Sequence, residues 1–253
     1  MAREPGGGSP KYQRLADALR ARIESGEFPV GSKLPTERAL VEEYAPISQG
    51  TVRQAIAALR DEGLLESRVG SGVYVRSWRP IVRNALKRLS VEQWGEGRSV
   101  WDLDIEDRRV EPQDIQIEQL PASADIARAL GIEEAAPVWR RNRRYAVDGA
   151  LVLRSTAYIP DDLASGTRIT QVDTGAGGTY ARLADAGHAP ASFREELRCR
   201  MPSAAEVADL ELQPSTPVVE LTRYASDASD RVVEVNRMIL DASRYLLVYD
   251  FPA

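Results

Sequence analysis

Apolar side chains recur along this chain in two rhythms, every three to four residues near its beginning and every second residue later, and the change divides it in two. Leu15, Ala16, Leu19 and Ile23 share one face of a helix predicted over residues 12–25, which Gly26 stops. Pro29, Gly31 and Pro35 then break the chain before Thr36, an N-cap for a second helix that turns Leu40, Val41 and Tyr44 inward. After the short break APIS, Ser48 caps a third helix running to about Glu62, with Gly63 as its stop. Val52, Ala55, Ile56 and Leu59 form its inner face and leave Gly50, Arg53, Gln54 and Ala57 pointing outward. LLESR and VYVR follow as short strand-forming runs around Val69-Gly70-Ser71-Gly72, whose glycines suit a tight hairpin. Three helices and a glycine-tipped hairpin in this order predict a winged helix-turn-helix over residues 11–76.

Residues 77–99 contain the basic, partly helical run IVRNALKRLSVEQW and then Gly95 and Gly97, the composition of a connector. Beyond it, over residues 100–253, the period of two takes over in RRVEPQDIQIEQL, PVWRRNRRYAVDG, ALVLRSTAYIP, FREELRCRMP, PVVELTRYAS, RVVEVNRMIL and YLLVYDF. Helical runs DIARAL, GTYARLADAG and SAAEVADL fall between these strands. Meandering strands with a few interposed helices predict an α+β domain with a largely antiparallel sheet. The first ten residues, MAREPGGGSP, have the composition of a disordered arm and lack the apolar stretch of a signal peptide.

Composition narrows the function classes. A 43% hydrophobic content over 253 residues is enough for two cores. The net charge of −5 rules out a uniformly basic coat, although basic residues slightly outnumber acidic ones between Lys11 and Trp78, so any polyanion-binding face depends on placement. A single cysteine, Cys199, makes no intramolecular disulfide, and no apolar run is long enough to span a bilayer. A cytoplasmic, nucleoid-associated protein without a membrane partner is expected. The one histidine, His188, sits in the turn-like GHAP and supports neither a His-based metal cluster nor a Ser-His-Asp triad, so neither enzymatic activity nor a metal or cofactor is expected. The glycine-rich TGAGG lacks the Lys-Ser/Thr ending of a phosphate-binding P-loop and reads as a loop before a helix.

The outward face of the third helix carries the chemistry of DNA recognition. Small Gly50 and Ala57 keep it narrow enough for a major groove roughly 12 Å wide, and Gln49 and Arg53 reach base edges from its N-terminal half, with Gln54 beside them. Thr36, Ser48 and Thr51 stand at helix N-termini, where free N–H groups and the dipole favour phosphate oxygens. Lys33 joins this set as a cation beside the second helix, and Arg68, next to the Gly70 and Gly72 turn, places another in or beside the minor groove.

The motifs YQRLADALRARIESGEFPVGSKLPTERAL and GTVRQAIAALRDEGLLESRVGSGVYV resemble the GntR family of bacterial regulators over the whole first domain. The resemblance implies double-stranded DNA contacts at Arg38, Gln49, Arg53 and Gly70; Gln49 stands where an arginine is common, and YAPISQGTV is one residue longer than the usual turn. The second half resembles the UTRA effector domain of the HutC-like branch, on the succession PVWRRNRRYAVDGALVLRSTAYIP, TYARLADAGHAP, FREELRCRMPSAAEVADLEL and STPVVELTRYASDASDRVVEVNRMILDASRYLLVYDF. VEQWGEGRSVW and DTGAGGTYARL are similar to phrases in actinobacterial members. That likeness implies a chorismate-lyase-like fold, a small-molecule effector held between sheet and helices, a homodimer on a palindromic operator, and repression released by the effector. Relatives hold an anion with an Arg-x-Arg pair ahead of an Asp-Gly turn. Aligned on Asp148-Gly149, Arg143 matches the first arginine, Tyr145 replaces the second, and Ser155 stands where an acid is common. A less anionic, more apolar effector than a simple sugar phosphate is therefore expected, lined by Arg143, Tyr145, Ser155, Tyr158, Tyr180, Phe193, Glu234 and Asn236. The alternative is a dimeric DNA-binding repressor whose second domain has lost ligand sensing.

Overall fold

The computed structural model describes residues 9–68, 70–76, 80–85, 89, 110–213 and 215–251. Residues 1–8 of the expected arm, most of the 77–99 connector and the VEQWGEGRSVW phrase lie outside the described residues. The chain forms two compact units that divide between Arg79 and Pro80.

In the first unit, α1 (Lys11–Glu24), α2 (Glu37–Glu43) and α3 (Gln49–Asp61) are followed by a hairpin of β1 (Leu65–Arg68) and β2 (Gly72–Val75). Each helix forms where its apolar stripe and its cap agree. Thr36 Oγ1 accepts from Ala39 N at 3.2 Å at the start of α2, and Ser48 Oγ from Thr51 N at 3.2 Å at the start of α3. Leu15, Ala16 and Leu19 of α1 pack with Leu40 of α2, the four inner residues of α3, and Leu65 and Val75 of the hairpin in one core. Leu19, Leu40, Val52 and Leu59 are wholly buried, each stabilising by roughly 1.5–3 kcal/mol relative to exposure. Gly63, at φ +76°, turns the chain out of α3 into β1. The base of the hairpin is stitched to the preceding loop through Gly31 N to Val75 O (2.9 Å), Leu34 N to Val73 O (2.8 Å) and Val75 N to Ser32 O (2.9 Å). The long turn between α2 and α3 contains a cis Ala45-Pro46 peptide, and Ile47 packs against the core.

The second unit is built on a six-stranded antiparallel sheet of order β4-β5-β6-β9-β8-β7. Its strands are β4 (Val110–Pro121), β5 (Pro137–Val147), β6 (Ala150–Pro160), β7 (Ser192–Arg200), β8 (Val218–Ser226) and β9 (Val232–Asp241). Among the described residues they are accompanied by α4 (Ala124–Leu130), α5 (Asp161–Ala164), α6 (Gly178–Asp185) and α7 (Ala204–Leu210), with a 3-10 turn at Arg168–Thr170. On one face, Ile126, Ala127 and Leu130 of α4 cover Val138 and Val235, and Leu210 of α7 covers Val218 and Ile239. On the other, Leu163 and Ala164 of α5 and Tyr180 and Leu183 of α6 cover Ala157, Ile159 and Ala225.

The expected connector differs at its start. Residues 81–84 form β3 (Ile81–Asn84), which pairs in parallel with β10 (Tyr245–Val248) and belongs to the second unit. Ile81 and Tyr245 close over Tyr145, Leu153, Val219, Leu221, Met238 and Leu240 on the sheet face that also carries α5 and α6. Four residues alternating Ile, Val, Arg, Asn give too short a period to stand out against a basic run, and Arg83 sits where an apolar inward residue is expected. The hairpin between β5 and β6 turns through Asp148 and Gly149, both at positive φ, and β6 bulges at Val152, between the Tyr145–Leu153 and Ala146–Leu151 pairs.

Candidate functional site

On the first unit, the surface around α3 gathers the expected polar residues. Gln49, Gly50, Arg53 and Gln54 are exposed, and a side chain at Gly50 meets only ordinary contact, 3.6 Å from Ser48 Oγ. Ser48 and Thr51 also join their hydroxyls at 3.0 Å, so the N-terminus of α3 is ordered by side chains that leave its surface open. Arg38 on α2 is 89% exposed and makes one pair with Glu42, 3.0 Å away. Glu37, absent from the sequence expectations, has a single carboxylate oxygen that accepts from both Gln49 Nε2 (2.8 Å) and Arg53 Nε (2.9 Å).

The hairpin tip turns through Gly70 and Gly72, at φ +69° and +119°. A Cβ on Gly72 would lie 2.8 Å from Lys33 Cε, so the lysine stem lies against the turn, and the φ of +119° reserves the position for glycine. Arg68 is drawn along the hairpin surface by Glu66 (2.9 Å) and by the Tyr74 ring, 4.2 Å from its guanidinium carbon. It remains half exposed, 49% by side chain, and able to swing from that position.

On the second unit, strand register places a polar belt on the sheet face beneath α6 and the β3–β10 ribbon. One transverse row runs Arg141, Ala157, Asn236, Arg223, Glu195, and the next runs Arg143, Ser155, Met238, Leu221, Leu197. Ser155 Oγ donates to Asn236 Oδ1 at 2.9 Å, and Tyr180 Oη to Glu234 Oε2 at 2.7 Å, both buried. Phe193 stacks obliquely on Tyr180, ring centres 5.4 Å apart. Arg83 on β3 pairs with Glu195, Nη1 to Oε2 being 2.9 Å, and both are buried.

Two further arginines distinguish this face. Arg141, 1% exposed, has no carboxylate partner among the described residues; it donates to the carbonyls of Ile169, Gln171 (2.6 Å) and Val172 (3.3 Å). Burial, then the nearby Arg143, lowers its pKa to about 10, so it stays charged at neutral pH. Arg223 is 2% exposed and lies over the Tyr180 ring, with Nη2 3.6 Å from Glu234 while Nε and Nη1 have no hydrogen-bond partner. Burial works against its charge, but Tyr180, Glu234 and Glu195 outweigh that and raise its pKa. Arg143 faces the Tyr145 ring at 5.5 Å and has no carboxylate partner among the described residues.

Seven of the eight expected effector residues therefore share one face, but they differ in kind. Arg143, Ser155, Tyr180, Glu234 and Asn236 belong to the polar belt, with Phe193 at its edge, whereas Tyr145 is packed in the apolar core under the ribbon. Tyr158 is a correction: three residues from Ser155 on one strand, it points to the opposite face and packs under α4. The sequence expectation missed Arg83, Arg141, Glu195 and Arg223. Arg141 had a readable signal, since residues two apart on a strand share a face and Arg141 thus stands with Arg143; Arg223 comes into place only through the β8–β9 register. An Arg-x-Arg pair also stands on this face at 141 and 143, two residues further from the turn than the aligned positions. His188 Nδ1 meets Asp227 Oδ2 at 2.8 Å, away from this belt, where Asp227 also organises the turn at Ser229 and Arg231.

Comparison with known proteins bears on both units. Residues 11–75 match the bacterial regulatory proteins of the gntR family, and residues 106–246, more than half of the chain, match the UTRA domain. An HTH-type transcriptional regulator from Streptomyces coelicolor is 34% identical over 96% of this chain and 93% of its own length. The HTH-type transcriptional repressor NagR of Bacillus subtilis is 25% identical over 95% of this chain and 94% of its own. Among solved structures, one described as a putative GntR-family transcriptional regulator is 26% identical and superposes with a TM-score of 0.59, covering 97% of this chain and 98% of its own. PhnF from Mycobacterium smegmatis, at 23% identity and a TM-score of 0.60 over 96% of this chain and all of its own, shares the fold.

Proposed function

Because this chain belongs to the GntR family of bacterial regulatory proteins and carries a UTRA domain behind its DNA-binding unit, we propose that it is a homodimeric repressor released from a palindromic operator by a small-molecule effector. It is a DNA-binding transcriptional regulator; repression, dimerisation and the class of effector are the finer parts of this proposal. NagR, a repressor similar to it along almost its whole length, supports the sign of regulation.

The observation that carries DNA recognition is the exposed N-terminal half of α3, with Gln49 and Arg53 supported from below by Glu37. In a dimer, two such helices enter successive major grooves, and Thr36, Arg38, Ser48, Thr51 and the hairpin tip hold the backbone on either side. Selection from a random DNA library with the full chain is expected to return a palindrome. Arg53→Ala is expected to weaken binding to that site by roughly 1–3 kcal/mol and to relax the preference at one base. Unchanged affinity would remove α3 from the interface.

On the second unit, buried Arg223 with two unpartnered nitrogens and Arg143 without a carboxylate support retained ligand binding and disfavour loss of sensing. Four guanidinium groups face two carboxylates on this belt, Arg83, Arg141, Arg143 and Arg223 against Glu195 and Glu234. An effector bearing an oxyanion, either carboxylate or phosphate ester, fits that balance better than an apolar one. Thermal unfolding of the full chain against panels of carboxylates and phosphate esters tests this, because a ligand at a hundred times its Kd adds about 2.7 kcal/mol to the native state. A stabilising anion that acts on wild type and not on Arg223→Met is expected. Stabilisation by uncharged ligands alone would overturn it.

A further inference from the structure

Glu37 is the first residue of α2, yet its carboxylate serves α3. One oxygen accepts from Gln49 Nε2 and from Arg53 Nε, residues four apart on one helical face, and the side chain is 35% exposed. Each contact fixes which end of its partner is left to meet a base. A carboxylate oxygen accepts and does not donate, so the Gln49 amide turns its NH2 toward Glu37 and leaves its carbonyl Oε1 as the free end. Arg53 gives its Nε–H edge to the same oxygen, which leaves the fork of its two terminal nitrogens without another partner among the described residues.

We propose that Glu37 is a specificity-positioning residue, which sets the base preference of this regulator by presenting Gln49 as an acceptor and Arg53 as an end-on fork. It rests on α3 being the base-reading element. The two presentations select different bases. The fork of Arg53 matches the paired acceptors O6 and N7 of guanine. An outward Gln49 carbonyl seeks an exocyclic amine, which only cytosine N4 and adenine N6 supply in the major groove; the keto groups of guanine and thymine face it oxygen to oxygen. Unconstrained, a glutamine rotates its amide freely; the carboxylate takes one of its two N–H groups and so fixes the amide with its carbonyl outward and the second N–H beside it. The negative charge so close to DNA is offset locally by Arg53.

Substitution by glutamine reverses the logic at one position. In Glu37→Gln the side-chain NH2 is able to donate to Gln49 Oε1, turning the Gln49 amide around so that donors face outward, and the charge that steers Arg53 is gone. Random-library selection with the full chain, on wild type, Glu37→Gln and Glu37→Ala, reads the result. Wild type is expected to select cytosine or adenine opposite Gln49 and guanine opposite Arg53. Glu37→Gln is expected to move the Gln49 position toward guanine or thymine and to reduce the guanine preference at Arg53 roughly tenfold. Glu37→Ala is expected to lose discrimination at both positions, with the rest of the selected site unchanged. Glu37→Asp, which keeps the carboxylate, is expected to retain the wild-type order of preference.

Gln49→Ala and Arg53→Ala separate this proposal from the one beneath it. If neither changes any base preference, α3 is not the reader. If both change their own positions while Glu37→Gln and Glu37→Ala lower affinity uniformly over all sequences, Glu37 is structural only and the proposal is overturned.

Discussion

The helix caps and the arginines they recruit show how single side chains set local stability. Ser203 and Glu206 form a capping box at α7, and Arg200 binds Glu206 through both terminal nitrogens at 2.7 and 2.8 Å. Arg200, with the Ser203 amide and hydroxyl, holds the Glu206 pKa down at about 2 against the cost of burial. A carboxylate with a depressed folded pKa contributes stability above its unfolded value near 4.3, and loses it as pH falls toward 2. Glu206→Gln is accordingly expected to cost about 1–3 kcal/mol at pH 7 and progressively less between pH 5 and pH 2, measured by urea unfolding across that range. At Thr36 and Ser48, alanine is expected to cost about 1 kcal/mol each, since each hydroxyl satisfies one free N–H group. Both caps were readable from residue type and spacing alone. The Tyr158 error was equally avoidable, because an odd separation from Ser155 on one strand fixes opposite faces.

Among the elements, the helices of the first unit and the long strands of the second were legible because their periods persist for many residues. Val52, Ala55, Ile56 and Leu59 are the buried face of α3 as the spacing indicates. YLLVYDF was legible as a strand, but its partner β3 escaped because four residues far away in sequence carry no period of their own. Arg83 is the reason the ribbon looks like a connector: it is an inward residue whose charge is admitted by Glu195 on β7. Removing one partner of such a pair leaves the other buried and unpaired, so Arg83→Ala is expected to destabilise the second unit by roughly 3–5 kcal/mol. Arg83→Met with Glu195→Leu is expected to recover most of that, as read from denaturant midpoints. Equal losses in the single and double variants would show that the charges themselves matter less than the fit of the ribbon.

At the scale of the whole molecule, an acidic chain binds an acidic polymer, so placement carries the interaction. Arg38, widely exposed and paired with Glu42, is available to a phosphate at little cost, since such surface pairs contribute about 0.3–0.5 kcal/mol. Operator affinity is expected to fall linearly in a double-logarithmic plot against salt, and Arg38→Ala to lower that slope by about one while leaving base preference intact. If an effector lowers operator affinity by some factor, operator must lower effector affinity by the same factor, which calorimetry on the free and DNA-bound protein checks. The family was legible from the first 76 residues, whereas the composition of the polar belt was not, because it depends on which strands become neighbours.

The pairing of β3 with β10 also orders the birth of the protein. The core of the first unit joins residues between Tyr12 and Val75, so it is able to form while the ribosome is still making the rest. Ile81 and Arg83 emerge soon after it, yet the strand that lies beside them begins only at Tyr245. A nascent chain thus holds a DNA-binding unit tethered to an open strand until Tyr245–Val248, more than 150 residues later, is made and covers it.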